Sequence, residues 1–187
     1  VTEHLSKAIT LLKEHGVSAA LLQTPPDLLY CTGLDLSQGT LLVGSGFSTL
    51  FLDGRYFEVA KKLPLDVVLI KDPNDLYSNL ERVLKTIPGK IGFNPQTLCV
   101  AAHEKILACC KGKTHFVPSS AYFADLRRQK DTDEIEAISR SCALCEKGLR
   151  FLLGEIRRGV TEKALASKLK VFWFENGAQS LSFEPII

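Results

Sequence analysis

Residues 40–70 read TLLVGSGFSTLFLDGRYFEVAKKLPLDVVLI, and this stretch decides the fold class. Thr40 to Val43 and Ser48 to Leu52 are two β-prone runs joined by Gly44, Ser45 and Gly46, the pattern of a hairpin. Asp53 and Gly54 end the pair, Arg55 to Leu63 reads as a helix, and Val67 to Ile70 is an unbroken apolar run. Such a run, four to eight residues long and apolar throughout, suits a strand buried on both faces.

The same alternation extends in both directions. Upstream, Glu3 to His15 places Leu5, Ala8, Ile9, Leu11 and Leu12 at helical spacing, with Gly16 where a left-handed cap sits. Val17 to Leu22 follows as a buried strand, closed by Gln23, Thr24, Pro25 and Pro26. Downstream come a helix over Asp75 to Thr86, a strand over Lys90 to Phe93, a helix over Gln96 to Cys110 and a strand over Thr114 to Val117. Strands separated by helices imply an α/β domain with a largely parallel sheet and one hairpin.

After Ala121 the texture changes. DLRRQKDTDEIEAI brings a cluster of charge and then a long amphipathic helix, with Ile135, Ile138, Cys142, Cys145, Leu149, Leu152 and Ile156 along one stripe. Asp131 and Glu134 form a capping-box pattern at its start, Arg157 and Arg158 suit the negative end of its dipole, and Gly159 is a stop. A second helix runs from near Thr161 to before Gly177, with Leu165, Leu169, Phe172 and Trp173 on one side; SLSFEPII then reads as the opening of a strand. Two domains are therefore expected, residues 1–124 and 125–187, the second appearing cut off because nothing after Ala121 supplies a sheet for its helices to cover.

Composition narrows the class. With 187 residues, 45% hydrophobic and 24% charged, the chain has the mix of a soluble core-forming protein, and its apolar runs are too short to cross a bilayer. Twenty-three basic residues face 21 acidic ones, interspersed, so neither a nucleic-acid nor a membrane partner is expected. Cysteines at 31, 99, 109, 110, 142 and 145 are too few and too irregular for a disulfide scaffold, which fits free thiols in a cytoplasmic protein. The start lacks the pattern of a signal peptide, and the absence of methionine suggests trimmed ends.

The motifs that could carry chemistry read as structure. Cys142 and Cys145 spell CxxC but lie inside a helix, on its apolar stripe, rather than at the end of a strand, so they are expected in a core. His103 and Glu104 begin a zinc-protease helix pattern, but Leu107 stands where the second histidine belongs. Gly44 and Gly46 join two strands and open no helix, so they are not a dinucleotide fingerprint. His4, His15 and His115 have no acidic residue or cysteine at useful sequence spacing, so surface or core roles are expected. Asp53 is expected to accept backbone hydrogen bonds in the turn that Gly54 permits.

Several segments, in order, resemble the aminopeptidase P, prolidase and creatinase family. DLLYCTGL (27–34) resembles its asparagine, tyrosine and threonine-glycine signature, with Asp27 where asparagine is common. TLFLDGRYFEVA (49–60), IGFNPQTL (91–98), LRRQKDTDEIEAI (126–138), GVTEKALASKL and NGAQSLSFEPII resemble the segments that follow. The resemblance implies a creatinase/prolidase amino-terminal α/β domain and the truncated start of a pita-bread metallopeptidase domain. It implies that the parent protein is an Xaa-Pro aminopeptidase or Xaa-Pro dipeptidase, cleaving before proline in peptides with proline at the second position. The parent would use two divalent metal ions, manganese expected, held by two aspartates, one histidine and two glutamates. Those ligands fall beyond Ile187, so no catalytic, cofactor-binding or metal-binding residue is expected in this chain. Its own part would be subunit pairing, as a homodimer, and walling of the active site. A non-catalytic binding module and a creatinase-like C–N hydrolase are the alternatives within the same resemblance.

Overall fold

The computed structural model describes residues 3–110 and 114–187, and it divides into two compact units, one up to Gln129 and one over Lys130–Ile187. The first holds β1 (Ala19–Leu22), β2 (Thr40–Gly44), β3 (Phe47–Leu52), β4 (Asp66–Leu69), β5 (Gly89–Phe93) and β6 (Thr114–Pro118). They form one mixed sheet in the order β4-β3-β2-β1-β5-β6. Only β2 runs against its neighbours, pairing antiparallel with β1 and β3, while β3 with β4, β1 with β5 and β5 with β6 are parallel. All six expected strands are present, within one or two residues of their expected ends. The hairpin register pairs Gly44 with Phe47, which leaves Ser45 and Gly46 as a two-residue loop with Gly46 at φ 87°.

The unbroken apolar runs have the predicted cause. Ala20, Leu22, Leu41, Val43, Leu50 and Leu52 face one core, under helices α1 (Glu3–Glu14), α2 (Pro25–Thr32), α3 (Gly54–Ala60) and α6 (Ser120–Arg128). Ala19, Leu21, Leu42, Phe51 and Ile91 face the other, under α4 (Pro73–Leu84) and α5 (Val100–Cys110). Alternation along the central strands sends successive residues to opposite cores, so positions on both faces there are largely apolar.

Two helices escaped the sequence reading. Thr24, Pro25 and Pro26 do more than close β1: they start α2, with Thr24 as N-cap accepting from the Asp27 amide at 3.3 Å and the prolines in the first turn. Gly33, at φ 73°, ends that helix after two turns, too few to show a periodic stripe. Helix α6 runs through the expected boundary at residues 124 and 125, and the units part instead after Gln129. The reason is packing. Phe123 is buried in the first core, Leu126 packs against it, and the Tyr122 ring stacks on His15 with centroids 3.9 Å apart.

The second unit is α7 (Thr132–Glu155) and α8 (Glu162–Glu175). The capping box is complete: Asp131 accepts from the Glu134 amide at 2.9 Å, and Glu134 accepts from the Asp131 amide at 3.0 Å. Leu152, Leu165 and Leu169 form a small core with Val160 and Trp173 against it, and the rings of Phe151 and Phe172 stack at 4.5 Å. Of the predicted stripe on α7, Leu152 alone is buried; Ile135, Ile138, Leu149 and Ile156 are 48–58% exposed. The strand expected in SLSFEPII is absent, since residues 178–187 carry no regular ladder. A strand exists only against a neighbour, and no strand is described in this unit to pair with it.

Gly148 sets the approach of α7 to α8. A Cβ there would lie 2.3 Å from Trp173 Nε1, whereas one on Gly154 of the same helix meets nothing within 4 Å. Gly148→Ala is therefore expected to destabilise this unit by about 1 kcal/mol, overpacking outweighing the gain in helix propensity. Gly154→Ala should instead leave it unchanged or up to about 1 kcal/mol more stable. Trp173 is the only tryptophan, so denaturant unfolding followed by its fluorescence reports on this unit. Equal shifts for the two variants would contradict the packing described.

Candidate functional site

Because β2 alone is reversed, five strands point the same way and their carboxyl ends share one edge of the sheet, the edge on which open α/β sheets bind ligands. A cleft of about 250 Å³ opens there, its walls including Gln23 after β1, Gln38 and Thr40 at the start of β2, Asp53 after β3 and Ile70 after β4. Gly39 lets the loop before β2 press close to the core, since a Cβ on it would lie 2.8 Å from Leu52 Cδ2.

Asp53 has the structural role predicted for it, by a different device. Gly54 is the first residue of α3 rather than a left-handed turn residue, and Asp53 is the N-cap, accepting from the Arg55 amide at 2.9 Å. The Arg55 guanidinium closes back on the same carboxylate, with Nη2 2.7 Å and Nε 3.1 Å from Oδ2. These side-chain bonds, and then the amide, hold the Asp53 carboxyl below the usual carboxylate range, and Asp53 in turn raises Arg55. Arg55 Nη2 also donates to Gln38 Oε1 at 3.3 Å, and Tyr56 Oη lies 2.7 Å from Ser37 Oγ. The network fastens the loop before β2 to the start of α3. A carboxylate so engaged and ionised has no proton to give and little capacity to take one.

The crevice between β1 and β5 is where α2 and α5 leave on opposite faces, the usual nucleotide-binding switch point of such sheets. Here it offers no anion cradle. Pro25 and Pro26 lack N–H groups, and the next amide, that of Asp27, is taken by Thr24. This agrees with the reading of Gly44 and Gly46 as a hairpin.

Asp27 itself is buried, accepts from Thr24 Oγ1 at 2.6 Å and pairs with Arg127 of α6. Beside them the Cys31 thiol is pushed up to about 12, chiefly by burial and then by the Asp27 charge, with Arg127 opposing. Cys109 and Cys110 are also buried and raised, burial being the largest cause for each. Cys142 and Cys145, expected in a core, are exposed, because the α7 stripe that carries them has no cover within its own unit. Cys99, Cys142 and Cys145 are thus expected to react with a thiol reagent at pH 8 within minutes, and the other three only on unfolding. Rapid modification of Cys31 in the native chain would contradict this.

Three of the histidines pack beside aromatic rings. His4 stacks on Tyr30 at 4.1 Å and His15 on Tyr122, His103 lies beside Phe93, and His115 is exposed on β6. Within either unit, the described residues bring no three histidine, cysteine or carboxylate ligands to one point. The side chains gathered in each unit do not fit a two-metal centre, which needs several convergent carboxylates.

Comparison with known proteins gives the lineage. The profile of the Creatinase/Prolidase N-terminal domain matches residues 4–129, ending at the last residue of the first unit. The chain belongs to this family. Among relatives, the Xaa-Pro dipeptidase of Pyrococcus furiosus is 27% identical over 189 aligned residues, covering 99% of this chain and 52% of the relative. A putative Xaa-Pro aminopeptidase of Mycoplasma pneumoniae is 27% identical, covering 95% of this chain and 49% of its own length. The solved prolidase from Pyrococcus furiosus superposes with a TM-score of 0.80 at 26% identity, over 94% of this chain and 54% of that one. The chain spans about half the length of the curated relatives it matches. The family's relatives thus align with both units here, in order, and the fold is the mixed sheet of prolidase amino-terminal domains.

Sequence reasoning missed the Asp27–Arg127 pair and the Gln23–Thr40 contact. Only the first left a signal: an aspartate where the family signature has asparagine needs a cation if it is buried, and that cation lies 100 positions away.

Proposed function

We propose that this chain is the amino-terminal part of an Xaa-Pro aminopeptidase or Xaa-Pro dipeptidase, whose complete form hydrolyses the bond before proline in short peptides. The observation that carries the reading is the collinear similarity of both units to an Xaa-Pro dipeptidase over 99% of this chain, a relation that a shared sheet alone would not produce. The chain's own part is subunit pairing in a homodimer and walling of the active site, and the reaction belongs to residues outside it. Two divalent metal ions, manganese expected, act there. The exposed stripe of α7, with Leu149 at 55% and Ile156 at 58%, supports a role as one half of a larger layered domain, since full burial of such a side chain is worth about 1.5–3 kcal/mol. Six cysteines, none of them in a disulfide, support a cytoplasmic setting.

The test uses the complete protein with manganese, offered Ala-Pro and Ala-Pro-Ala in parallel, with alanine release as the readout. Release from either substrate, abolished by a chelator, is expected. A dipeptidase favours the first and an aminopeptidase the second. No release from either would refute the assignment.

A further inference from the structure

We propose that the cleft at the carboxyl edge of the sheet is a binding site for an uncharged peptide carboxamide, carried by the first unit itself. The floor and wall are apolar, formed by Phe51, Leu52, Ile70 and Leu76, and the polar groups are amides and a hydroxyl rather than free charges. Thr40 is the anchor. The residue is only 4% exposed, and its hydroxyl has one partner among the described residues, Gln23 Nε2 at 3.1 Å.

That single bond leaves capacity over. With Gln23 Nε2 donating, the Thr40 proton has no acceptor among the described residues, and Gln23 Oε1 has no donor. With the Gln23 amide turned over, the Thr40 oxygen and the Gln23 NH₂ are the groups left free. Either arrangement offers one donor and one acceptor side by side, the complement of a carboxamide. Gln38, whose Oε1 is held by Arg55, adds a free NH₂ at the rim. Thr40 is buried and Gln23 half-buried, so a ligand that completes their hydrogen bonds gains by the contact as it displaces water from the cleft. The charged groups argue against other ligands. Asp53 and Arg55 neutralise each other across 2.7 Å, so neither a free cation nor a free anion finds an uncompensated charge. A nucleotide phosphate is disfavoured further by the prolines that open α2.

The proposal goes beyond the assignment as an Xaa-Pro peptidase and does not depend on which bond the complete protein cleaves. It is tested on the 187-residue chain by nitrogen–proton NMR, titrating N-acetyl-leucine N-methylamide and, separately, the methyl ester of O-acetyl-2-hydroxy-4-methylpentanoic acid, which keeps the shape and has no amide N–H. The amide should give saturable shifts, largest at the side-chain amides of Gln23 and Gln38 and the backbone amide of Thr40. The ester should bind on the order of 5-fold more weakly, as the loss of one hydrogen bond implies. Thr40→Val, close to Thr40 in shape, should weaken the amide by a similar factor, and Gln23→Leu provides a second variant should the first fail to fold. No saturable shift up to the solubility limit, shifts centred elsewhere, or equal affinity for amide and ester would each overturn the proposal.

Discussion

Replacing Arg127 by methionine is expected to destabilise the first unit by about 3 kcal/mol, because it strands the Asp27 carboxylate where only 5% of that side chain reaches solvent. The lower end of the usual range applies, since Arg127 is itself about a third exposed. Adding Asp27→Asn to Arg127→Met should recover most of the loss. An asparagine keeps the hydrogen bond with Thr24 and carries no charge to compensate, in line with the asparagine common at this position of the family signature. Asp27→Asn alone should cost less than Arg127→Met alone. Urea unfolding followed by far-ultraviolet circular dichroism measures all three, and the double-mutant cycle isolates the pairing. Additive losses, with no rescue, would mean that Arg127 contributes through its aliphatic stem and that the charge is incidental. The pair also bears on architecture: α6 is the last element of the first unit, and Arg127, near its end, ties it back to the start of α2.

The second large effect belongs to Phe51. It is 2% exposed near the end of β3 and reaches the core under α4 and α5, while its neighbours Leu50 and Leu52 reach the opposite core. Phe51→Ala should cost about 4 kcal/mol, the sum of lost transfer energy and a cavity in close-packed surroundings. Leu50→Ala should cost about 3 kcal/mol from the other side of the same strand. Val59→Ala, at a 55% exposed position on α3, serves as the control and should stay within about 0.5 kcal/mol of the parent. If Phe51→Ala cost no more than the control, the sheet would not be buried on both faces.

How much was legible in the sequence follows from which forces act locally. The six strands were legible because each carries a short run of largely apolar residues between helices, most complete in β1 and β2, which lie between two cores. The capping box of α7 was legible because its two bonds join residues three apart. Helix α2 was not, since two turns bounded by prolines and a glycine look like a loop until the cap bonds are seen. The stripe of α7 was read correctly as apolar, but its burial was not, because burial depends on what lies opposite. Cys142 and Cys145 went wrong for the same reason. At the candidate site, Asp53 was legible as an acceptor of backbone hydrogen bonds beside Gly54, whereas its place as a helix N-cap and its bonds from Arg55 were not. The Gln23–Thr40 contact could not, since it joins the end of β1 to the start of β2 only once the antiparallel register is set. Arg127 is a charged residue in a charged cluster, and nothing nearby marks it as the partner of Asp27.

The central claim, a non-catalytic first half of an Xaa-Pro peptidase, meets its most direct test in one assay. The 187-residue chain and the complete protein are incubated in parallel with manganese and Ala-Pro-Ala, and alanine release is followed. The account predicts turnover by the complete protein and a rate at buffer background for the chain alone. Turnover by the isolated chain well above background would contradict it, because it would place the reacting groups among residues that have here been given structural roles.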